Sequence, residues 1–181
     1  MCFENLKKRE SNKIKKEKLD VKIKPLIKTI NEFDEYITTS SCSGRAGLLM
    51  LGKKKCENGF LFKTHKKIKK EAWKKVKPKG EVILFFFESA NATVHCRDEM
   101  SAVRLIQIAN DCGWEHSKIW KSNGHCVVEI GPNEVIEAPL AKHEIIMSKE
   151  GFNFLCEQAN SELERSHKAM KELENELKRL K

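Results

Sequence analysis

Residues 82–98 read "VILFFFESANATVHCRD", and the fold turns on them. The first eight, 82–89, form an apolar run rich in aromatic and β-branched side chains and too short for a helix, so they read as a buried strand. From Asn91 the pattern becomes alternating. Ala92, Val94 and Cys96 share one phase, and Thr93, His95 and Arg97 the other. Residues 91–98 therefore read as a second strand with one buried and one polar face. Asp98 then caps a helix whose Ala102, Leu105, Ile106 and Ala109 line one side, and Gly113 closes it.

Upstream, "AGLLMLG" (46–52) and "FLFKTH" (60–65) are short apolar runs joined through Asn58-Gly59, which predicts a hairpin. Residues 66–76 place Ile68, Ala72 and Val76 on one helical face, ended by Pro78 and Gly80. The order strand, strand, helix thus occurs twice, which points to a duplicated unit without a residue-level repeat. Three more short strands fit 117–121, 125–130 and 134–140. The N-terminal residues 1–19 read as a basic, weakly amphipathic helix. A second helix runs from a cap at Asp20 to Phe33 with Leu26, Ile27 and Ile30 inward. At the other end, Cys156, Ala159, Leu163, Ser166, Met170, Leu173, Leu177 and Leu180 follow a 3-4 spacing, so 149–181 reads as a long helix with a coiled-coil-like seam. That seam serves either its own chain, as a monomer, or a dimer. The expectation is a single α+β domain over 1–181 with a mixed, duplicated sheet and a long C-terminal helix.

Composition narrows the partners. The net charge is +9 over 181 residues. It is segregated: 53–79 carries twelve Lys/Arg against two acids, whereas 80–147 carries five against ten. Such zoning suits a polyanion, although lysines on an ordinary solvated surface give a similar count. Seven cysteines without disulfide spacing point to a reducing, cytoplasmic setting. No apolar run approaches the roughly 18 residues of a membrane span, and the first residues lack a secretory apolar core.

Candidate chemistry starts with metals. "HC" occurs at 95–96 and 125–126, but no CxxC or HxxxH accompanies either pair, so no metal site is expected. Cys96 and Cys126 lie in the apolar phase of their strands and read as small core residues. The opposite phase, Thr93, His95 and Arg97, with His125 and Glu129 on the other strand, is either a solvated sheet face or a ligand-facing one. His95 can move a proton and Arg97 can grip an anion. "TTSSCSGR" (38–45) collects hydroxyls, Gly44 and Arg45 into a run that reads as an anion- or nucleotide-binding turn or as ordinary Ser-rich loop chemistry. Neither GxGxxG nor GxxxxGK[ST] occurs. An enzyme, a non-catalytic tRNA- or RNA-binding module, and a thiol- or metal-dependent hydrolase built on Cys42 and the histidines all remain open on these residues.

Taken together, "TTSSCSGR", "LFKTH", "ATVHCRD", "AVRLIQIANDCGWEHSKI" and "VIEAPL" stand in the order found in the tRNA wybutosine-synthesizing protein 3 family, which this chain resembles from about Asp20 to near Glu150. The resemblance implies a methyltransferase that uses S-adenosylmethionine to methylate N4 of a 4-demethylwyosine-type base, with or without its 7-aminocarboxypropyl group, at position 37 beside the anticodon of phenylalanine tRNA. It assigns His95, Arg97 and Arg45 as catalytic, and Ser40, Ser41, Cys42, Ser43, Gly44, His65 and Asp98 as substrate- or cofactor-binding. His95 or His65 would take the proton. Lys53, Lys54, Lys55, Lys66, Lys67, Lys69 and Lys70 would meet the tRNA backbone. The chain departs from the pattern at Gly131-Pro132, where relatives have Arg-Ser, and at Lys118, where glycine is usual.

Overall fold

The computed structural model describes residues 2–14, 20–122, 124–131 and 134–181. The end of the expected basic helix, at 15–19, and Pro132 lie outside them. The elements in order are α1 (Phe3–Ile14), α2 (Lys24–Asn31), β1 (Tyr36–Leu51), β2 (Gly59–Thr64), β3 (Val82–Cys96), α3 (Glu99–Asp111), β4 (Lys118–Ser122), β5 (His125–Ile130), β6 (Val135–Ala141) and α4 (Lys149–Arg179). The strands hydrogen-bond in one six-stranded sheet of order β2-β1-β3-β5-β4, with β6 also on β3. Every pairing with a described register is antiparallel. The α+β class and the long C-terminal helix stand as expected. No described helix is long and apolar enough to cross a membrane.

Packing divides the chain into two compact units. The first comprises 1–43, 90–133 and 166–181, and the second 44–89 and 134–165. In the first unit, α2, α3 and the end of α4 pack on one sheet face, where Ile23, Ile30, Tyr36, Val94, Cys96, Leu105, Val128, Ile130 and Leu173 form the core. The opposite face carries α1, whose Phe3 and Leu6 close on Ile37. In the second unit, Leu48, Ile68, Phe85, Phe87, Leu140, Phe152, Cys156 and Leu163 form a separate core. The seam of α4 is used within the chain. Cys156, Ala159 and Leu163 enter the second core and Met170, Leu173 and Leu177 the first, while Leu180 stays 41% exposed.

Five expectations are corrected. The run 38–45 is not a turn but lies inside the 16-residue strand β1. Its Gly44 has φ +90°, a left-handed conformation that a glycine supplies without steric cost, so the strand bends there without ending. Residues 82–98 do not split into two strands, because β3 is continuous. The would-be break is satisfied in place: Ser89 N donates to Glu134 O (3.2 Å), and Ala90 N donates to Ser166 Oγ (2.8 Å). With β3 unbroken, the strand-strand-helix order does not recur.

The helix expected over 66–76 is a short 3-10 turn at Lys70–Lys75. Asn160 takes up the backbone of Ile68, accepting from its N (2.7 Å) and donating to its carbonyl (3.0 Å), which removes the need for helical bonds there. Asp20 does not cap α2 either. The N-cap is Ile23 without a side-chain bond, and the Asp20 carboxylate instead accepts from the hydroxyl of Ser43.

Candidate functional site

In the first unit, the hydroxyl run mostly holds the strand. Thr38 N donates to Asn31 Oδ1 (2.8 Å), and Thr39 Oγ1 reaches Thr93 O at 3.5 Å. The carbonyl of Ser43 meets His167 Nε2 at 3.0 Å. Ser43 is buried, Ser41 and Cys42 are half-buried, and Ser40 is exposed.

On the α1 side of the sheet lies a cavity of about 270 Å³, lined by Leu6, Arg9, Glu10, Lys13, Thr39, His95 and His125. The two imidazoles come from β3 and β5, with ring centroids 5.0 Å apart and planes tilted by 51°. Glu10 is 5% exposed and is held by Arg9 Nη2 at 2.7 Å and Lys13 Nζ at 3.7 Å. Burial, and next the neighbouring His125, lower the pKa of His95, against the pull of Glu10. His95 Nδ1 is itself buried and finds no hydrogen-bond partner.

The other residues of "HCRD" divide differently. Cys96 is fully buried, and burial pushes its thiol up to about 12. Arg97 donates from Nη2 to the Asp34 carbonyl (3.0 Å), lies 3.5 Å from Glu4 and covers the ring of Phe3. Asp98 forms a capping box with Ser101, accepting from its N at 2.8 Å while Ser101 Oγ takes the Asp98 N–H (3.2 Å). That hydrogen bonding holds its carboxyl below the usual range.

In the second unit, Arg45 Nε donates to Glu88 Oε2 at 2.6 Å, and its guanidinium carbon sits 5.5 Å from the centroid of Phe60. Lys63 Nζ approaches the same ring at 4.8 Å. His65 Nδ1 meets the carbonyl of Gly44 at 2.9 Å. Gly47 lets β2 come close: a Cβ there would stand 2.1 Å from the Phe62 carbonyl oxygen.

Six of the seven lysines assigned to tRNA fall into two groups. Lys67 pairs with Glu164 (2.5 Å) and Lys70 with Glu157 (2.7 Å). Lys53, Lys54, Lys66 and Lys69 are exposed and appear in no ion pair among the described residues. Lys55 opens a short 3-10 turn.

Sequence reading missed the contribution of α1, whose Arg9, Glu10 and Lys13 reach the cavity, because nothing in a basic helix announces which sheet face it covers. It also missed Phe60 and Glu88 as partners of Arg45. His125 was legible through its strand phase, and the structure brings it against His95.

A family described as Methyltransferase TYW3 matches residues 1–179. The chain belongs to the TYW3 methyltransferase family. A relative from Pyrococcus horikoshii is 32% identical over 175 residues, covering 92% of this chain and 88% of its own length. One from Methanocaldococcus jannaschii is 31% identical over 170 residues, covering 90% and 88%. Both bear the name tRNA(Phe) 7-((3-amino-3-carboxypropyl)-4-demethylwyosine(37)-N(4))-methyltransferase, the first with the suffix 1. Among solved structures, the PH1069 protein of Pyrococcus horikoshii superposes with a TM-score of 0.87 at 31% identity, over 97% of this chain and 95% of that one. A protein from Aeropyrum pernix, 22% identical with a TM-score of 0.76 over 89% and 98%, shares the fold. The resemblance drawn from the motif blocks and the whole-chain family match agree, and this TYW3-family chain is a methyltransferase.

Proposed function

We propose that the chain methylates N4 of a 4-demethylwyosine-type base at position 37 of phenylalanine tRNA, with S-adenosylmethionine as donor. The observation that carries this reading is the match along residues 1–179 together with relatives of that name. The zoned charge supports a tRNA partner, since phosphate neutralisation by lysines supplies most sequence-independent affinity.

The fit of the donor can be judged on the cavity of the first unit. Arg9, Lys13 and the buried Glu10, which pair with one another here, carry the signs that an α-amino-acid zwitterion takes, cations toward its carboxylate and an acid toward its ammonium. S-adenosylmethionine carries that group, and when bound it supplies an electrophilic methyl on sulfur. The imidazoles of His95 and His125 line the same cavity. About 270 Å³ is slightly below the usual range for a ligand pocket, roughly 300–1,000 Å³, so the cavity takes one end of such a molecule.

The residues then have separate tasks. The 4-demethyl nitrogen carries a hydrogen that must leave as the methyl arrives. His95, held neutral by burial and His125, is the acceptor for that proton, through Nε2, since Nδ1 is closed off. In the second unit, Arg45, fixed by Glu88 and laid against Phe60, is suited to gripping an anionic group. Positioning supplies much of the rate in a methyl transfer, because the nucleophile needs only a short, in-line approach. The test is direct. Folded protein is incubated with S-adenosylmethionine labelled in its methyl group and with phenylalanine tRNA carrying the demethylated tricyclic base. Label in the 4-methyl nucleoside is expected, and its absence overturns the reading.

A further inference from the structure

The sheet face that carries His95 does not end at β5. His95 pairs with Val127, which pairs in turn with Trp120 on the edge strand β4. Thr93, Glu129 and Lys118 form the next row. Directly paired residues project from one face. Trp120 and Lys118 therefore share the face of His95, two strands away, or about 10 Å at the usual spacing.

Trp120 is 42% exposed. The other two indoles are used internally: Trp114 is 3% exposed, and Trp73 packs on Phe152 at 5.2 Å. No ring, cation or hydrogen-bond contact engages Trp120 among the described residues. Lys118 is exposed and appears in no ion pair among them, whereas Lys121, in the opposite phase, meets Glu99 at 3.3 Å. Glu129, half-buried, is the one acid in these rows.

We infer that Trp120 is a stacking platform for an unpaired nucleobase of the RNA, with Lys118 set to hold an adjacent phosphate. This rests on the reading that the chain works on tRNA. Every base has a π-face, so an open indole accepts any of them, and the overall charge of +9 complements the phosphates. A duplex keeps its bases stacked on one another, so the platform selects loop nucleotides over stem. A protein partner adding a strand would instead use the free backbone edge of β4 and leave the indole untouched.

The experiment uses the full chain, its W120F and W120A variants, and an unmodified RNA stem-loop with the sequence of the phenylalanine tRNA anticodon arm. Tryptophan fluorescence is followed on titration, with a fully paired RNA duplex of the same length as control. The stem-loop should quench the wild type, and W120F should lose most of that quench while binding nearly as well. W120A should bind the stem-loop about 5- to 150-fold more weakly, with its salt dependence unchanged because no phosphate contact is lost. Equal affinity of W120A and wild type overturns the inference. So does equal quenching by the duplex, or a fluorescence change with protein concentration alone, which would place a second copy on the indole. The outcomes separate from those of the methylation assay: label transfer without Trp120 quenching removes the platform alone, and quenching without label transfer removes the proposed activity alone.

Discussion

Arg45 offers the sharpest test, because one substitution can separate its contacts with Glu88 and Phe60 from its proposed role in the reaction. R45K keeps the charge but loses the Nε donor, now 2.6 Å from Glu88 Oε2, and the flat contact with Phe60. A hydrogen bond to a charged group contributes about 1.5–3 kcal/mol. The two side chains are 32% and 37% exposed, so solvent screening reduces this to about 1 kcal/mol. The guanidinium–ring contact adds about 0.5–1 kcal/mol. R45K should therefore destabilise by about 1–2 kcal/mol and lower Tm by roughly 2–4 °C per kcal/mol for a chain of this size. If Arg45 also grips an ionised group in the transition state, turnover should fall about 100-fold, equivalent to about 2.7 kcal/mol. Thermal melts and methyl-transfer kinetics are measured on the same preparations, with activity expressed per folded molecule. E88Q supplies the second edge of a cycle. It should cost similar stability, and the double variant should cost less than the sum. A melt lowered as predicted with normal activity per folded molecule would leave Arg45 a strand-holding residue and refute its role in the reaction.

Two further predictions are independent of Arg45. The lowered pKa of His95 means that the unfolded chain takes up this proton near pH 6.5 and the folded chain only at lower pH. The associated stability is thus present above about pH 6.5 and lost as pH falls through the folded-state value. H95Q should flatten the pH dependence of urea denaturation in this window, by less than the ceiling of about 1.4 kcal/mol per pH unit because the ring is only half-buried; an unchanged slope would show that His95 is not held neutral. Replacing Lys53, Lys54, Lys66 and Lys69 with glutamine should lower the log–log salt slope of tRNA binding by up to roughly three units, whereas the same change at Lys67 and Lys70, already paired with Glu164 and Glu157, should lower it less. Equal effects from the two sets would remove the distinction.

What the sequence made legible follows from the range of each interaction. Alternation placed Cys96 and Cys126 in the core and His95 with His125 on the other face, because strand phase is a local property of the backbone. The 3-4 seam of α4 was visible for the same reason. The partners of these elements were not. The break expected near Ser89–Asn91 is absent because Glu134 and Ser166, 45 and 76 residues on, satisfy backbone groups there. The helix expected over 66–76 is displaced because Asn160, 92 residues on, binds the backbone of Ile68. The turn expected at 38–45 rested on composition, and a strand accepts serines where Gly44 supplies the bend.

The run "HCRD" shows how far a motif can be carried into a mechanism. Four neighbouring residues look like one site, but alternation sends them to different environments. His95 enters the polar cavity. Cys96 fills the core and is kept a neutral thiol by burial. Arg97 ties the end of β3 to the Asp34 carbonyl and to α1, while Asp98 starts α3. Three of the four hold the frame. Removing Asp98 or Arg97 would therefore loosen β3 and α3, so a loss of activity alone would not by itself make either one a residue of the reaction. The distinguishing quantity is stability. A residue acting on the ligand leaves the melt near that of the wild type, whereas loss of the Asp98 N-cap lowers it. By that measure His95 is the member of the run whose substitution should separate turnover from folding.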